Sequence, residues 1–379
     1  MIKMFDKNSL DNIFSAMIGD NDTKILGLGV IAFKNAQEIY SFFGGRRHIN
    51  PNKKMTRKTL LRAASLSKMF TAFAIMQLVE RGKLNLSDDV SNFLDFNLRN
   101  PHFPDKIITV EMLACHTSSL RDEKPKFADK MPGKFFTYCN FNYVLLGTII
   151  ERVSGERFDI YQQNHILKPL NIDGGYLVSN LSPNAFKNLG TIYRKQNFWL
   201  PQVDDYKFQP KTDLSGYKIG SNAEIFAPQG GLRISFDDLA KVLLMLMNKG
   251  TYNGKKIICA DSFNQIISPH WTFNEKFPNG DTYGGVMENY GLGTYKIGGK
   301  SRARLCKDFE IDLIGHSGEA YGLISGLYFI PNTKNGVIFM INGTAIDIDD
   351  KKALGKFSSG YIWEENVMNP LLTRFFLRT

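Results

Sequence analysis

Residues 65–82 read SLSKMFTAFAIMQLVERG. Leu66, Met69, Phe70, Phe73, Ala74, Ile75, Met76, Leu78 and Val79 leave almost no polar face, and a helix apolar nearly all round is a buried one. Gly82 follows the periodic run and suits the left-handed position past a helix end. Ser65 therefore stands at the N-terminus of a core helix, where free backbone N–H groups and the positive dipole end favour negative charge. Lys68, three residues on, shares a face with Ser65 one turn away. An amine can thus reach a hydroxyl without help from a distant loop. The same spacing recurs in Ser215-Gly-Tyr-Lys218, where a Gly-rich loop makes it incidental.

Two further strings follow in order. Tyr138-Cys-Asn140 precedes Tyr143, Val144, Leu146, Ile149 and Ile150, which have helical spacing, and Ser154-Gly155 ends that run. Tyr138 and Asn140 are expected on the loop feeding this helix, with Asn140 a credible N-cap. His316-Ser-Gly318 precedes two apolar, β-prone runs, Leu323 to Ile330 and Val337 to Ile341. Pro331-Asn-Thr-Lys-Asn-Gly336 joins them as a hairpin. His316 would lie on or beside the preceding strand, with Gly318 letting a substrate backbone approach closely. Together the strings supply a nucleophile, two proton carriers and a backbone site for a developing oxyanion, the parts of an acyl-transfer enzyme.

The set resembles the penicillin-binding-protein and β-lactamase superfamily, specifically its branch of class C β-lactamases, D,D-carboxypeptidases, D-aminopeptidases and related esterases. The likeness covers roughly residues 25 to 345 and includes LVERGKLNLSDDVSNFL, ITVEMLACHTSSL, NYVLLGTIIERVSG and QGGLRISFDDLAKVLLMLMN. It implies Ser65 as the acylated nucleophile and Lys68 as its activating amine. Tyr138 would be general base and acid, and Asn140 would bind a substrate amide. The strand of His316, Ser317, Gly318 and Glu319 would line the site, and the N–H groups of Ser65 and Glu319 would form the oxyanion hole. Three positions depart from the family pattern. His316 replaces the usual lysine, Glu319 replaces a small residue, and Ser119 stands where His-Thr-Ser-Gly ends in glycine. The first two favour an ester or D-amino-acid peptide over a β-lactam as substrate, and exchanging His316 for lysine is expected to shift the balance back. Either Tyr138, lowered by the Lys68 charge, or a desolvated Lys68 would serve as base. The alternative is a β-lactam or peptidoglycan sensor that keeps Ser65 and Lys68 but does not turn over.

Composition fits a globular enzyme: 379 residues, 43% hydrophobic and 12% aromatic. That length buries a large core as one unit or two interleaved ones. No apolar run of about 18 residues argues for a membrane span. MIKMFDKNSLDNIFSAMIGD lacks a signal-peptide pattern, and its Phe5, Ile13, Phe14, Met17 and Ile18 predict an amphipathic first helix. As written, the chain reads as cytoplasmic, or as periplasmic or secreted if a targeting segment has been removed. Cys115, Cys139, Cys259 and Cys306 show no metal-ligand spacing and are compatible with reduced thiols; no metal or cofactor is expected. The net charge of +10 includes eight basic residues and no acid between Ile39 and Val79. A second cluster comprises Lys300, Arg302, Arg304 and Lys307. A solvated basic face is the simpler reading, a field drawing carboxylates the sharper one. No nucleic-acid module is present, so the expected partner is a small-molecule or peptide substrate.

The expected fold class is α+β, β-lactamase/transpeptidase-like: an antiparallel sheet flanked by helices, a helix-rich region, and a cleft between them. The chain is one catalytic unit, 1–379, with an α/β region over 1–60 and 251–379 and a helix-rich region over 61–250. Residues 179–226 form a polar, aromatic insertion that could fold over the cleft. GLGVIAFKNAQEIYSFFGG reads as two strands turned at Lys34-Asn35-Ala36, and its glycines mimic a dinucleotide fingerprint with no helix behind them. Tyr361 to Phe376 is expected as a terminal helix on the sheet. An α/β-hydrolase would need Gly-x-Ser-x-Gly, which Gly315-His-Ser317-Gly-Glu misses by one position.

Overall fold

The computed structural model describes residues 7–376. Its frame begins with α1 (Lys7–Met17), β1 (Gly27–Lys34), β2 (Gln37–His48) and β3 (Lys53–Lys54). Asn35 and Ala36 turn the first hairpin with φ of 53° and 61°, the paired left-handed conformation that two-residue hairpins require. The expected hairpin is present, and no helix follows its glycines. Two helices then carry the first two strings, α2 (Ser67–Glu80) and α3 (Asn140–Ser154). Further on come β4 (Ile192–Lys195), β5 (Trp199–Val203) and α4 (Phe236–Met247). The chain closes with β6 (Tyr295–Ile297), β7 (Leu313–Ala320), β8 (Leu323–Phe329), β9 (Gly336–Ile341), β10 (Gly343–Thr344) and α5 (Ile362–Phe376).

Seven strands form one antiparallel sheet in the order β6-β7-β8-β9-β1-β2-β3. Both faces are covered, which is why β9 is apolar at every position after its glycine rather than alternating. Val337, Phe339 and Ile341 pack with Phe14 of α1 and Val367 and Leu371 of α5. Ile338 and Met340 face the other way, towards Phe73 of α2, Leu146 of α3 and Leu239 of α4. The terminal helix is thus where the sequence puts it. In the first helix Phe14 is fully buried but Ile13 is 41% exposed, so its apolar face is narrower than expected. Phe5 lies outside the described residues.

The middle of the chain is not purely helical. Within 179–226, β4 and β5 pair as a hairpin and β4 runs parallel to β10, forming a three-stranded sheet. Asp204, just past β5, holds the Arg233 guanidinium at 3.0 and 2.8 Å in the interior. This insertion lines the cleft described below through Arg194. Among the described residues no helix is long and apolar enough to cross a membrane. All four cysteines are free thiols.

Candidate active site

Ser65 occupies a single 3₁₀ turn, Ala64–Leu66, that runs directly into α2. Helix α2 ends as its sequence requires, with Arg81 at the cap and Gly82 beyond it at φ 62°. Ala64 has φ 49°, left-handed backbone for a residue with a side chain, at the position before Ser65. Ser67 holds this turn in place. Its hydroxyl donates to the Ala64 carbonyl at 2.7 Å and accepts from the Leu232 N–H at 3.1 Å. The middle serine of the motif is therefore structural.

The Lys68 side chain is fully buried, and three oxygens surround its Nζ: Ser65 Oγ at 3.0 Å, Asn140 Oδ1 at 2.8 Å and the Gln229 carbonyl at 3.1 Å. An ammonium satisfies all three with its three hydrogens. When one proton leaves, the two remaining hydrogens must stay on Asn140 and Gln229, because those oxygens can only accept. The lone pair then points at Ser65, the one partner with a proton to give. Burial pushes this amine down to about 7, with Asp122 and Cys139 opposing the shift through their charge.

Tyr138 approaches Ser65 from the other side, its hydroxyl 3.0 Å from Oγ. Its ring centroid lies 4.7 Å from Lys68 Nζ and 4.3 Å from the ring of buried His116. Burial pushes the phenol well above its usual range, so the resting Tyr138 keeps its proton. A lowering by Lys68 towards neutrality is not what this environment provides. The amine is the group brought to neutral pH.

Asn140 is the first residue of α3 and does not cap it with its own side chain. Asp122 does that work, accepting from the N–H groups of Asn140 at 2.8 Å and Phe141 at 2.9 Å. It also accepts from Asn140 Nδ2 at 3.0 Å, which leaves Oδ1 facing Lys68. The expected cap is corrected for a physical reason: the amide is engaged at both ends, by an acid and by an amine. One Nδ2 hydrogen remains for a substrate.

Strand β7 carries the third string. His316 is 1% exposed; its Nε2 accepts from the Tyr290 hydroxyl at 2.8 Å and its Nδ1 donates to the Ser317 carbonyl. Burial, with Lys68 adding repulsion, pushes it down to about 3, so it is a neutral imidazole. Ser317 Oγ accepts from the Tyr295 hydroxyl at 3.0 Å, mid-strand rather than on a nucleophile elbow. Gly318 is glycine because of packing. A Cβ there would sit 2.3 Å from Ser325 Oγ and 2.7 Å from the Ala63 carbonyl, so β7 lies directly against the chain that delivers Ser65. Glu319 lies beyond it, with Oε1 3.7 Å from Arg194 Nη2.

The structure therefore brings Ser65, Lys68, Tyr138 and Asn140 to one point, with His316, Ser317 and Glu319 on the facing wall. All of these except Lys68 line a cavity of about 690 Å³. Gly318 backs the wall. Ser215 is elsewhere and exposed, its N–H donating to the Asp213 side chain. Of the basic residues before Val79, Arg62 reaches the cleft, whereas Arg46 pairs with Asp20 and Arg57 with Glu38 and Asp237. The sequence reading missed Asp122, His116 and the Gln229 carbonyl. The first two sit in or beside the quoted ITVEMLACHTSSL phrase and Gln229 opens the quoted QGGLRISFDDLAKVLLMLMN phrase, the only signals that pointed there.

A family model described as Beta-lactamase matches residues 10–355. Protein flp of Staphylococcus aureus (strain MRSA252) is 29% identical over 222 residues, covering 53% of this chain and 44% of that protein. The putative penicillin-binding protein PbpX of Bacillus subtilis (strain 168) is 29% identical over 265 residues, covering 60% of this chain and 64% of its own length. The chain thus spans less than two thirds of either relative. Among solved structures, the octameric penicillin-binding protein homologue from Pyrococcus abyssi superposes with a TM-score of 0.69 at 24% identity, over 90% of this chain and 74% of that one. A D-stereospecific amidohydrolase from Streptomyces sp. gives 0.65 at 18% identity, over 99% and 100%. These two likenesses concern the fold.

Proposed function

The chain belongs to the β-lactamase family, and from that premise we propose that it is a serine hydrolase working through an acyl-enzyme on Ser65, with esters or D-amino-acid peptides and amides as substrates. The observation that carries this reading is the position of Ser65 Oγ, 3.0 Å from both Lys68 Nζ and the Tyr138 hydroxyl at the floor of a cleft.

The hydrogen bonds of Lys68 and Tyr138 to Ser65 support the following steps. Neutral Lys68 takes the Ser65 proton as Oγ attacks the substrate carbonyl. The oxyanion forms between β7 and the turn at Ser65, where the N–H groups of Ser65 and Glu319 would receive it. Tyr138, still protonated, gives its proton to the departing oxygen or nitrogen and recovers one from Lys68. In deacylation a water replaces the leaving group and the transfers run in reverse. With burial pushing Lys68 down to about 7, its basic form is accessible at neutral pH. The neutral His316 and the acidic Glu319 give a carboxylate-bearing substrate no fixed positive partner on this wall, which favours esters and peptides over penicillins.

A fluorophosphonate probe tests the assignment. One label on the wild type and none on Ser65→Ala is expected; labelling at Ser215 or Ser317 would overturn it. Intact mass after acylation by a p-nitrophenyl ester should return to its starting value, whereas a sensor would stay labelled.

A further inference from the structure

One end of the cleft carries acids that the acyl-transfer chemistry does not use. Glu364, on α5, is 5% exposed yet lines the cavity. Its Oε2 accepts the Tyr361 N–H at 3.0 Å, and among the described residues nothing donates to Oε1. Among the described residues no cation lies within ion-pair distance of it. Burial pushes this carboxyl up to about 7, which is how an acid behaves when its counter-charge is missing. Glu319, on β7, is the second acid. Its Oε1 is buried without a hydrogen bond, and Arg194, its nearest cation, also approaches Asp347 at 3.8 Å. The charges of Asp347 and Asp349 press on Glu319 as well. Tyr361 lines the cavity and feels the charge of both glutamates. Neighbouring Glu365 is spoken for, holding the N–H groups of Lys356, Phe357 and Ser358. Arg62, the remaining guanidinium of the cleft, lies over the Tyr321 ring with its Nε on the Gly230 carbonyl.

A carboxylate that lines a cleft with an oxygen no described residue meets is stabilised most by a cation that enters with the substrate. We propose that Glu364 and Glu319, with the Tyr361 ring beside them, form a subsite that binds a positively charged group of the substrate, an ammonium or quaternary ammonium. The aromatic ring adds a face on which such a cation can rest. This inference rests on the serine-hydrolase reading for its substrate, though not for its ligand.

Two p-nitrophenyl esters of equal shape test it: 4-(trimethylammonio)butanoate and its uncharged isostere 5,5-dimethylhexanoate. The ratio of their kcat/KM values within one variant cancels effects common to both. The wild type should favour the cation at least tenfold, and Glu364→Gln and Glu319→Gln should each cut that ratio at least fivefold. A ratio near one, or one that neither variant changes, would overturn the proposal. Calorimetric titration with butyltrimethylammonium reads the subsite without turnover: binding is expected in wild type and in Ser65→Ala, and loss of binding in Glu364→Gln. If neither ester is hydrolysed but the ion binds as stated, the hydrolase reading fails and the subsite stands. If the ion does not bind, or binds equally to Glu364→Gln, the subsite is wrong.

Discussion

The Asp122 carboxylate accepts both the backbone N–H of Asn140, at 2.8 Å, and its side-chain N–H, at 3.0 Å. One acid thereby closes the exposed end of α3, where the helix dipole favours negative charge, and sets which end of the Asn140 amide meets Lys68. Lys68, the partner of Ser65, is oriented through two residues, Asp122 then Asn140, and only the second was conspicuous in the sequence.

Asp122→Ala should therefore lose two things at once. Removing a cap costs about 0.5–2 kcal/mol of stability, read from a denaturant midpoint. Freeing the Asn140 amide lets Oδ1 leave Lys68, and kcat should fall about tenfold or more, as small displacements in catalytic groups do. Asp122 favours the charged form of Lys68, so its removal lowers the amine further. The rising limb of the pH–rate profile should move to lower pH. A limb that stays in place would reduce Asp122 to a cap.

Lys68 as base predicts that limb itself. A base must be unprotonated, so kcat/KM should rise with pH through about 7, where burial has pushed the amine. A phenolate base would instead give a limb above the usual tyrosine range, because burial pushes Tyr138 upward. Tyr138→Phe should cut kcat by roughly 10²–10⁴-fold, through the lost proton donor, and leave the limb near 7. Disappearance of the limb in Tyr138→Phe would move the base role to tyrosine.

What was legible in the chain is what short range determines. Lys68 is three residues from Ser65, so one helical turn sufficed to pair them. The hairpin at Asn35-Ala36 and that between Leu323 and Ile341 follow from turn residues between apolar runs. The Tyr138 string was visible through its helix and the family likeness, but its meeting with Ser65 spans 73 positions. Asp122 and the Gln229 carbonyl are contacts of the folded chain alone: 18 positions separate Asp122 from Asn140, and 161 separate Gln229 from Lys68. No periodicity marks such pairs. Gly318 was visible as a glycine, but its packing was not. Substrate approach and chain packing ask for the same missing Cβ, and only coordinates show that Ser325 and Ala63 occupy the space.

Ser119, where the family phrase ends in glycine, adopts φ 66°. A serine in left-handed backbone costs about 1–2 kcal/mol, here offset in part because its Oγ accepts from Asn100 Nδ2 at 2.9 Å. That Asn100 amide also donates to Ala128 and Lys130 carbonyls, so deleting the hydroxyl strands nothing. Ser119→Gly should be tolerated within about 1 kcal/mol, the relief of strain balancing the extra freedom of the unfolded chain. Ser119→Val should cost about 2 kcal/mol or more, since a branched side chain is worst placed at positive φ. Equal stability of the two variants in urea titrations would refute this account.

The wall opposite Ser65 sets the last expectation. A penicillin or cephalosporin presents a carboxylate, and a fixed cation on β7 would meet it with a charge-assisted hydrogen bond of about 1.5–3 kcal/mol. Here His316 is pushed down to about 3 and holds Tyr290 and Ser317 instead, while Glu319 contributes an acid. Without that bond the transition state loses roughly 10- to 150-fold, and an ester without a carboxylate does not feel the loss. Short p-nitrophenyl esters should therefore show kcat/KM well above that for nitrocefin. The structure also revises what His316→Lys would do. The ring is 1% exposed and packs 5.2 Å from Tyr295, 5.8 Å from Tyr290 and 6.2 Å from Tyr138 between ring centroids. A lysine would bring an ammonium into that aromatic cluster beside Lys68. The desolvation and like-charge repulsion amount to several kcal/mol, so the variant should melt earlier and gain no nitrocefin turnover. A stable His316→Lys protein with raised nitrocefin hydrolysis, or a wild type that hydrolyses nitrocefin as fast as every ester, would show that this wall does not exclude carboxylates.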